Sequence, residues 1–151
     1  MTLESLLAYA HLLAILTLVV FISSEAALCR SDWINAKVVQ RLGRVDLIYG
    51  IAAGLVLLTG LARTWWGIKG VPWYWSNGLL HLKLALFVAV ALMSIKPTLM
   101  FRRWRKQLAA GGPLPDETQV RTARKWVMIQ AHLIALIPLA AVFMARGFGG
   151  R

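Results

Sequence analysis

Two histidines and a lysine interrupt long apolar stretches of this sequence, where an ionisable side chain is costly to bury and marks a candidate functional site. His11 lies in "AYAHLL", and His81 and Lys83 lie in "NGLLHLKLALF". A neutral imidazole is a good axial ligand for haem iron, and facing helices of a bundle often hold a cofactor. We therefore predict that His11 and His81 bind one haem b. With one cysteine the chain has no CxxCH motif, which excludes a covalently attached haem.

The spacing of His81 and Lys83 constrains this predicted site. Residues two apart differ by about 200° around a helix, so the two side chains cannot face the same point. If His81 faces the bundle, then Lys83 reaches a neighbouring helix, a lipid headgroup or a second part of the site. A simpler role for Lys83 is to carry its ammonium group to the membrane surface. The simpler role for His11 is a structural hydrogen bond.

A second set of ionisable residues lies nearer the other side of the membrane: Glu25, Arg44, Asp46 and His132. These residues are candidates for an ion or proton site, because each needs a partner or a cavity within the membrane. The simpler explanation for the two acids is that they pair with Arg30 or Arg44 at the membrane surface. For His132 the simpler role is a helix–helix hydrogen bond together with Gln130.

Four apolar stretches carry these side chains. The chain of 151 residues is 59% hydrophobic with a mean hydropathy of +0.66, whereas soluble domains are about 45–50% apolar. The apolar stretches are residues 5–28, 45–63, 78–96 and 126–146. Each has roughly the 20 residues that a helix needs to cross the hydrocarbon core. The sequence therefore predicts an all-α integral membrane protein, a four-helix up-down bundle that forms a single transmembrane domain over residues 1–151.

The distribution of basic residues predicts the orientation of the bundle. Eleven of the 17 Lys and Arg residues lie in two predicted loops, 29–44 and 97–125, and Lys96 adjoins the second loop on the same side. The opposite side has four: Arg63, Lys69, Arg146 and Arg151. The positive-inside rule then places both basic loops in the cytoplasm and both termini in the periplasm of a bacterial inner membrane. The net charge of +11 also suits anionic lipid headgroups, and no recognition motif accompanies it to indicate nucleic acid.

Local signals predict where helices begin and how they pack. Asn77 is placed to cap the third apolar helix, and Asp116 with Gln119 resembles a capping box that starts the fourth helix near residue 117. Gly50 and Gly54 have the small-xxx-small spacing that lets helices approach closely. We expect this face to pack inside the bundle, with contact between protomers of a homo-oligomer as the alternative.

The order of these features resembles a known superfamily. The stretches that carry the resemblance are "AYAHLL", "VQRLGRVDLIYGIAAGLVLLTGL" and "WSNGLLHLKLALF", together with Arg30 and the pair Arg124 and Lys125. This layout is similar to the HemJ-type protoporphyrinogen oxidase superfamily of small four-helix membrane proteins. It is closer still to an uncharacterised bacterial branch of predicted membrane proteins.

The resemblance implies a cofactor and roles for three residues. HemJ-type enzymes oxidise protoporphyrinogen IX to protoporphyrin IX and pass the electrons on within the membrane. By this resemblance His11 is a ligand of haem b, Arg30 belongs to the cofactor-binding set, and Lys83 is the candidate catalytic residue, contacting porphyrin propionates.

Two functions are compatible with the sequence. The first is a membrane-embedded haem b protein with a redox role, oxidising a tetrapyrrole or relaying electrons to quinone. The alternative is a non-enzymatic membrane module, such as a transporter or channel subunit or an assembly factor, which uses the second set of ionisable residues. No Ser–His–Asp order, phosphate-binding glycine loop or pair of catalytic carboxylates is present to support hydrolase or kinase chemistry.

Overall fold

The computed structural model describes residues 2–149, and within this range all the regular structure is α-helical. The helices are α1 (Thr2–Leu28), α2 (Ala36–Trp66), α3 (Val71–Ser76), α4 (Gly78–Ala109) and α5 (Glu117–Ala145). The four long helices are each apolar enough to cross a membrane. The predicted four-helix membrane bundle is therefore confirmed. Arg151, which contributes to the predicted orientation, lies outside the described residues.

Side-chain caps fix the starts of three long helices. The Oδ1 atom of Asn77 accepts a hydrogen bond of 2.9 Å from the backbone N–H of Leu79, as predicted. Asp116 and Gln119 form the predicted capping box, so α5 begins at residue 117. Asn35 caps α2 by accepting a hydrogen bond from the backbone N–H of Val38, and this cap was not predicted. Each cap satisfies backbone donors that a helix start would otherwise leave without a partner.

The helices are longer than the apolar stretches, and most of the two predicted basic loops is helical. α2 begins at residue 36, and α4 continues through Pro97 to residue 109. The connecting segments are therefore short, residues 29–35 and 110–116. The sequence predicts that the third span ends at residue 96, but Pro97 is buried within α4, where neighbouring helices support the interrupted backbone. At about 48 Å, α4 exceeds the roughly 30 Å hydrocarbon thickness.

Side-chain packing differs between the two halves of the bundle. We call the half next to segments 29–35 and 110–116 the basic half, and the half next to Trp65–Trp75 the tryptophan half. Most of the buried core lies in the basic half, and its most enclosed members include Ile22, Cys29, Val39, Leu42, Phe101, Trp104, Val120 and Val127. In the tryptophan half, α2 has no buried residue between Ala52 and Thr64, and α4 has none between Leu80 and Val90. The helices are therefore tightly packed at one end and loosely packed at the other.

Two glycine positions show where helices do and do not approach each other. At Gly43 the side chain of Arg105 from α4 occupies the space that a Cβ atom would need. At Gly50 and Gly54 no atom lies within 4 Å of an added Cβ, and both residues are exposed. The prediction that the Gly50 and Gly54 face packs inside the bundle is therefore wrong, because the bundle turns this face outward.

The short helix α3 lies at the tryptophan end. It follows Gly70, whose φ of 78° is a left-handed conformation that favours glycine, and it has Pro72 in its first turn. The rings of Trp65 and Trp75 meet edge to face with centroids 6.0 Å apart. This helix was not predicted, although a glycine followed closely by a proline is a recognised start signal.

Candidate functional site

His11 hydrogen-bonds a threonine on the neighbouring helix, and the backbone of Val56 also interacts with its ring. Its Nδ1 atom lies 2.8 Å from Oγ1 of Thr59. The Thr59 hydroxyl donates its own hydrogen to the backbone oxygen of Leu55, at 2.6 Å. A hydroxyl has one hydrogen to donate, so Oγ1 accepts from His11 and Nδ1 carries the imidazole proton. The Nε2 atom of His11 is then left with a free lone pair, which is the form that ligates a metal.

Gly60 leaves room for this ring. An added Cβ at position 60 would lie 3.1 Å from Cε1 of His11 and 3.8 Å from Nε2. The imidazole thus lies directly against the backbone of α2, next to the threonine that orients it. The signal in the sequence was a Thr-Gly pair within an apolar helix, which we did not connect with His11 in advance.

Two basic side chains on other helices interact electrostatically with His11. The charges of Arg63 on α2 and Lys83 on α4 are both close enough to interact with its imidazole. Arg63 is four residues after Thr59 and therefore lies on the same face of α2. His81 and Lys83 point in different directions from α4, and Lys83 is the one that is turned towards His11. Arg63 was counted in the charge distribution only, and its place in this group was not predicted.

His81 is turned away from this group. Its side chain is exposed, its Nδ1 lies 3.1 Å from the backbone oxygen of Asn77, and its ring packs edge to face on Trp75. The backbones of α1 and α4 do not approach each other closely. The structure therefore does not bring His11 and His81 together as the pair of ligands that the sequence suggested.

Arg30 lies at the opposite end of α1 from His11, beyond Leu28. The 17 residues of helix between His11 and Leu28 span about 25 Å. The Arg30 guanidinium donates two hydrogen bonds to Asp32, of 3.1 and 2.8 Å, and lies over the Trp33 ring. These bonds hold the pKa of the Asp32 carboxyl below its usual value. Arg30 is thus part of a surface ion pair and does not share a site with His11.

Glu25 is buried in the basic half without a partner. Only 1% of its surface is exposed, and its Oε1 atom is fully enclosed with no hydrogen bond. The ion pairs among residues 2–149 are Arg30–Asp32 and Glu117–Arg121, so Glu25 and Asp46 pair with neither Arg30 nor Arg44. Arg44 is exposed. The simpler explanation for these two acids is therefore wrong.

Asp46 and Tyr49 lie near enough to Glu25 to interact with its charge, and Gln130 bonds Tyr49. The charge of Asp46 acts on Glu25, and both acids act on the Tyr49 hydroxyl. Thr98 donates a hydrogen bond of 2.7 Å to Oδ1 of Asp46. Tyr49 donates a hydrogen bond of 3.2 Å to Oε1 of Gln130. The Gln130 amide nitrogen in turn donates to the backbone oxygen of Trp126 on the same helix. Four helices thus supply one group of polar side chains, which we call the Glu25 cluster.

His132 does not belong to the Glu25 cluster. It is exposed, and its Nδ1 lies 2.6 Å from the backbone oxygen of Met128 on the same helix. Gln130, which we had expected to act with His132, bonds Tyr49 instead. Tyr49 and Thr98 were not predicted, although Tyr49 follows Asp46 by three residues and therefore lies on the same face of α2.

Arg124 and Cys29 join α1 to α5 beside the Glu25 cluster. The Arg124 guanidinium donates hydrogen bonds of 2.7 and 3.5 Å to the backbone oxygens of Ala26 and Cys29. The Cys29 thiol donates to the backbone oxygen of Val120 at 3.6 Å. Burial raises the pKa of this thiol to about 12. Arg124 therefore satisfies carbonyls at the end of α1 and is not a counter-ion for Glu25.

Within residues 2–149 no group of three or more His, Cys, Asp or Glu residues is arranged to hold a metal ion.

Comparisons with known proteins identify a family and nothing narrower. The family described as "Predicted membrane protein (DUF2214)" matches residues 3–149, which is nearly the whole chain. The chain belongs to this family. No curated protein matches it, and no solved structure matches it either.

Proposed function

We propose that this membrane protein of the DUF2214 family binds haem b beside His11 and moves electrons through it. The observation that carries the proposal is the orientation of His11 by Thr59, which leaves Nε2 free to ligate. Metal-ligating histidines generally donate their other ring N–H to an acceptor that fixes tautomer and ring orientation. Gly60 lets the ring lie directly against the backbone of α2.

The charges around His11 support an anionic, amphipathic ligand. Lys83 and Arg63 provide two cations at the same site, and haem carries two propionates. Cations buried in a membrane are costly unless they meet an opposite charge, and no acid of the described chain pairs with either one. Lys83 and Arg63 would hold the propionates, and His11 would hold the iron. His81 is not part of this proposal, because it faces away from His11.

The bound haem would supply one-electron redox chemistry at a potential set by its ligation and burial. The resemblance to HemJ-type enzymes suggests a tetrapyrrole as the electron donor, and the location in a bilayer suggests quinone as an acceptor. We further propose that the basic half faces the cytoplasm of a bacterial inner membrane and contacts anionic lipid, with both termini in the periplasm.

An absorbance spectrum tests this function directly. Protein purified from cells supplied with ample haem is expected to show a Soret band that shifts on reduction with dithionite. His11→Ala should lose the band, whereas the matched change His132→Ala should keep it, because His132 is exposed and bonded to its own helix. A colourless wild-type protein, or equal haem in both variants, would overturn the proposal.

A second candidate function rests on the Glu25 cluster. A buried carboxyl with no counter-ion is unusual in a membrane protein and often marks an ion or proton pathway. This candidate is a small non-enzymatic module, a transporter or channel subunit or an assembly factor, that needs no iron. A colourless preparation that gives pH-dependent ion flux in liposomes supports it over the haem proposal.

A further inference from the structure

The Glu25 cluster contains two buried acids in a chain of +11 net charge, and neither acid has a cation as its direct partner. Glu25 is 1% exposed and Asp46 is 8% exposed. Two carboxylates placed this close repel each other, and each loses hydration on burial. The cluster needs a positive charge or a proton to be stable.

The oxygen atoms available in the cluster are too few for a metal cation. Oxygen-ligated ions such as Mg²⁺ and Ca²⁺ take about six to eight ligands. The Gln130 amide is already used at both ends, its oxygen by Tyr49 and its nitrogen by the backbone oxygen of Trp126. One oxygen of Asp46 accepts from Thr98. What remains is the Glu25 carboxyl, one oxygen of Asp46 and the hydroxyl oxygens of Tyr49 and Thr98, which donate their hydrogens elsewhere. This set falls short of the roughly six oxygens that such ions take, and it suits a proton.

The surroundings differ between the two acids. Asp46 receives a hydrogen bond from Thr98, and the charge of Arg102 on the same helix as Thr98 acts on it. Burial disfavours the ionised form of both acids, and at Asp46 these two interactions oppose that effect. Glu25 has neither a donor nor a cation: Arg124 is bonded to backbone oxygens at the end of α1, and Cys29, one turn away, is bonded to Val120.

We propose that the Glu25 cluster is a proton-binding site, in which Glu25 carries the proton beside an ionised Asp46. Ordinary acid–base exchange fills and empties it: Glu25 binds one proton from water at the basic end and returns one. If the protein transports an ion, as in the second candidate function, then this proposal identifies that ion as a proton. Only transport depends on the second candidate function. Proton binding itself holds with or without haem.

Carbodiimide labelling tests the proposal. Dicyclohexylcarbodiimide adds to protonated carboxyls in apolar surroundings, and peptide mass spectrometry locates the adduct. In wild-type protein in liposomes, we expect the adduct at Glu25, with a yield that falls as the pH is raised. Replacing choline by Na⁺ or K⁺ at constant ionic strength should not change the yield. Protection by either cation would show a cation site and overturn the proposal, as would the absence of label at every pH.

Two variants separate proton sharing from a structural role. Asp46→Asn removes the neighbouring negative charge, so the pH of half-maximal labelling at Glu25 should fall by about 1 unit. Glu117→Gln, in a surface ion pair, should leave that pH unchanged. An unshifted value in Asp46→Asn would contradict the proposal. The haem proposal is tested by the absorbance spectrum and the proton-site proposal by labelling, so one proposal can fail while the other holds.

Discussion

The imidazole of His11 and the hydroxyl of Thr59 form a relay of donors that ends on the α2 backbone. His11 donates to Thr59, and Thr59 donates to the backbone oxygen of Leu55. The direction of this relay is set by the helix itself, since a backbone oxygen only accepts. The chemical form of His11 is thus determined by a residue 48 positions away in sequence.

Replacing Thr59 by valine should therefore weaken metal ligation without removing the ligand. Loss of an outer-shell partner typically reduces metal affinity about 10–100-fold. We expect Thr59→Val to retain less haem on dilution and to show an altered reduction potential, measured by spectroelectrochemical titration. Thr17→Val is the matched control, because the Thr17 hydroxyl bonds only its own helix. Equal effects of both changes would show that the relay does not govern the site.

Gly60→Ala tests the space beside the ring. The new methyl group would lie 3.1 Å from Cε1 of His11, which is closer than ordinary van der Waals contact, so the imidazole must move. We expect about a tenfold loss of haem affinity, which corresponds to roughly 1.4 kcal/mol. Gly54→Ala adds the same methyl to the same helix in open space and should have no effect. Unchanged haem titration in Gly60→Ala would contradict the placement of the ligand at His11.

Lys83 and His81 should differ in their effect on ligand binding. Lys83 acts on His11, whereas His81 is exposed beside Trp75. We expect Lys83→Gln to lower haem affinity and to make it less sensitive to salt, and His81→Gln to leave both unchanged. Lys96→Gln controls for the loss of one lysine from α4. Titration of purified apoprotein with haem at two salt concentrations measures the effect, and a larger loss in His81→Gln would reverse the assignment.

The buried Cys29 thiol makes the stability of the folded protein depend on pH in the alkaline range. Its pKa is raised from 9.0 to about 12 in the folded protein, so folding favours the protonated thiol. The resulting stability is complete below the unfolded pKa and is lost as the pH rises from about 9 towards 12. Over this range the free energy of unfolding should fall by about 1.4 kcal/mol per pH unit. Cys29→Ala should remove this slope in detergent unfolding curves, and an identical slope in both proteins would contradict the burial of the thiol.

The outward Gly50 and Gly54 face is available for contact between protomers, and we keep the homo-oligomer as a proposal. Small residues allow two helices to approach closely in lipid. If this face joins two protomers, Gly54→Leu should convert the oligomer to a monomer in detergent, as measured by light scattering. Val88→Leu, at an exposed site on α4, should not change the mass. An oligomer that survives Gly54→Leu must use another face.

Local signals in the sequence predicted the starts of α4 and α5 correctly because each depends on a few adjacent residues. Asn77 and the Asp116–Gln119 box cap helices through bonds that span at most three positions. The four spans follow from length and hydropathy in the same way.

The rotation of each helix was not readable from the sequence, and the site depends on it. The spacing of His81 and Lys83 showed that one of them must face away from His11, but only packing between helices decides which. The same holds for Gly50 and Gly54, whose spacing suits close contact on any face. Because nearly every face of a membrane helix is apolar, polarity does not separate the bundle interior from lipid as it does in water.

The loose packing of the tryptophan half bears on how the proposed ligand would reach His11. In the bilayer, space that side chains leave between helices is filled by lipid chains, and His11 lies about 14 Å along α1 from its first residue. A molecule bound at its Nε2 atom would then arrive by lateral diffusion in the membrane. Occupancy then follows the partition of that molecule into lipid rather than its concentration in water, and transfer to a neighbouring membrane protein needs no aqueous step.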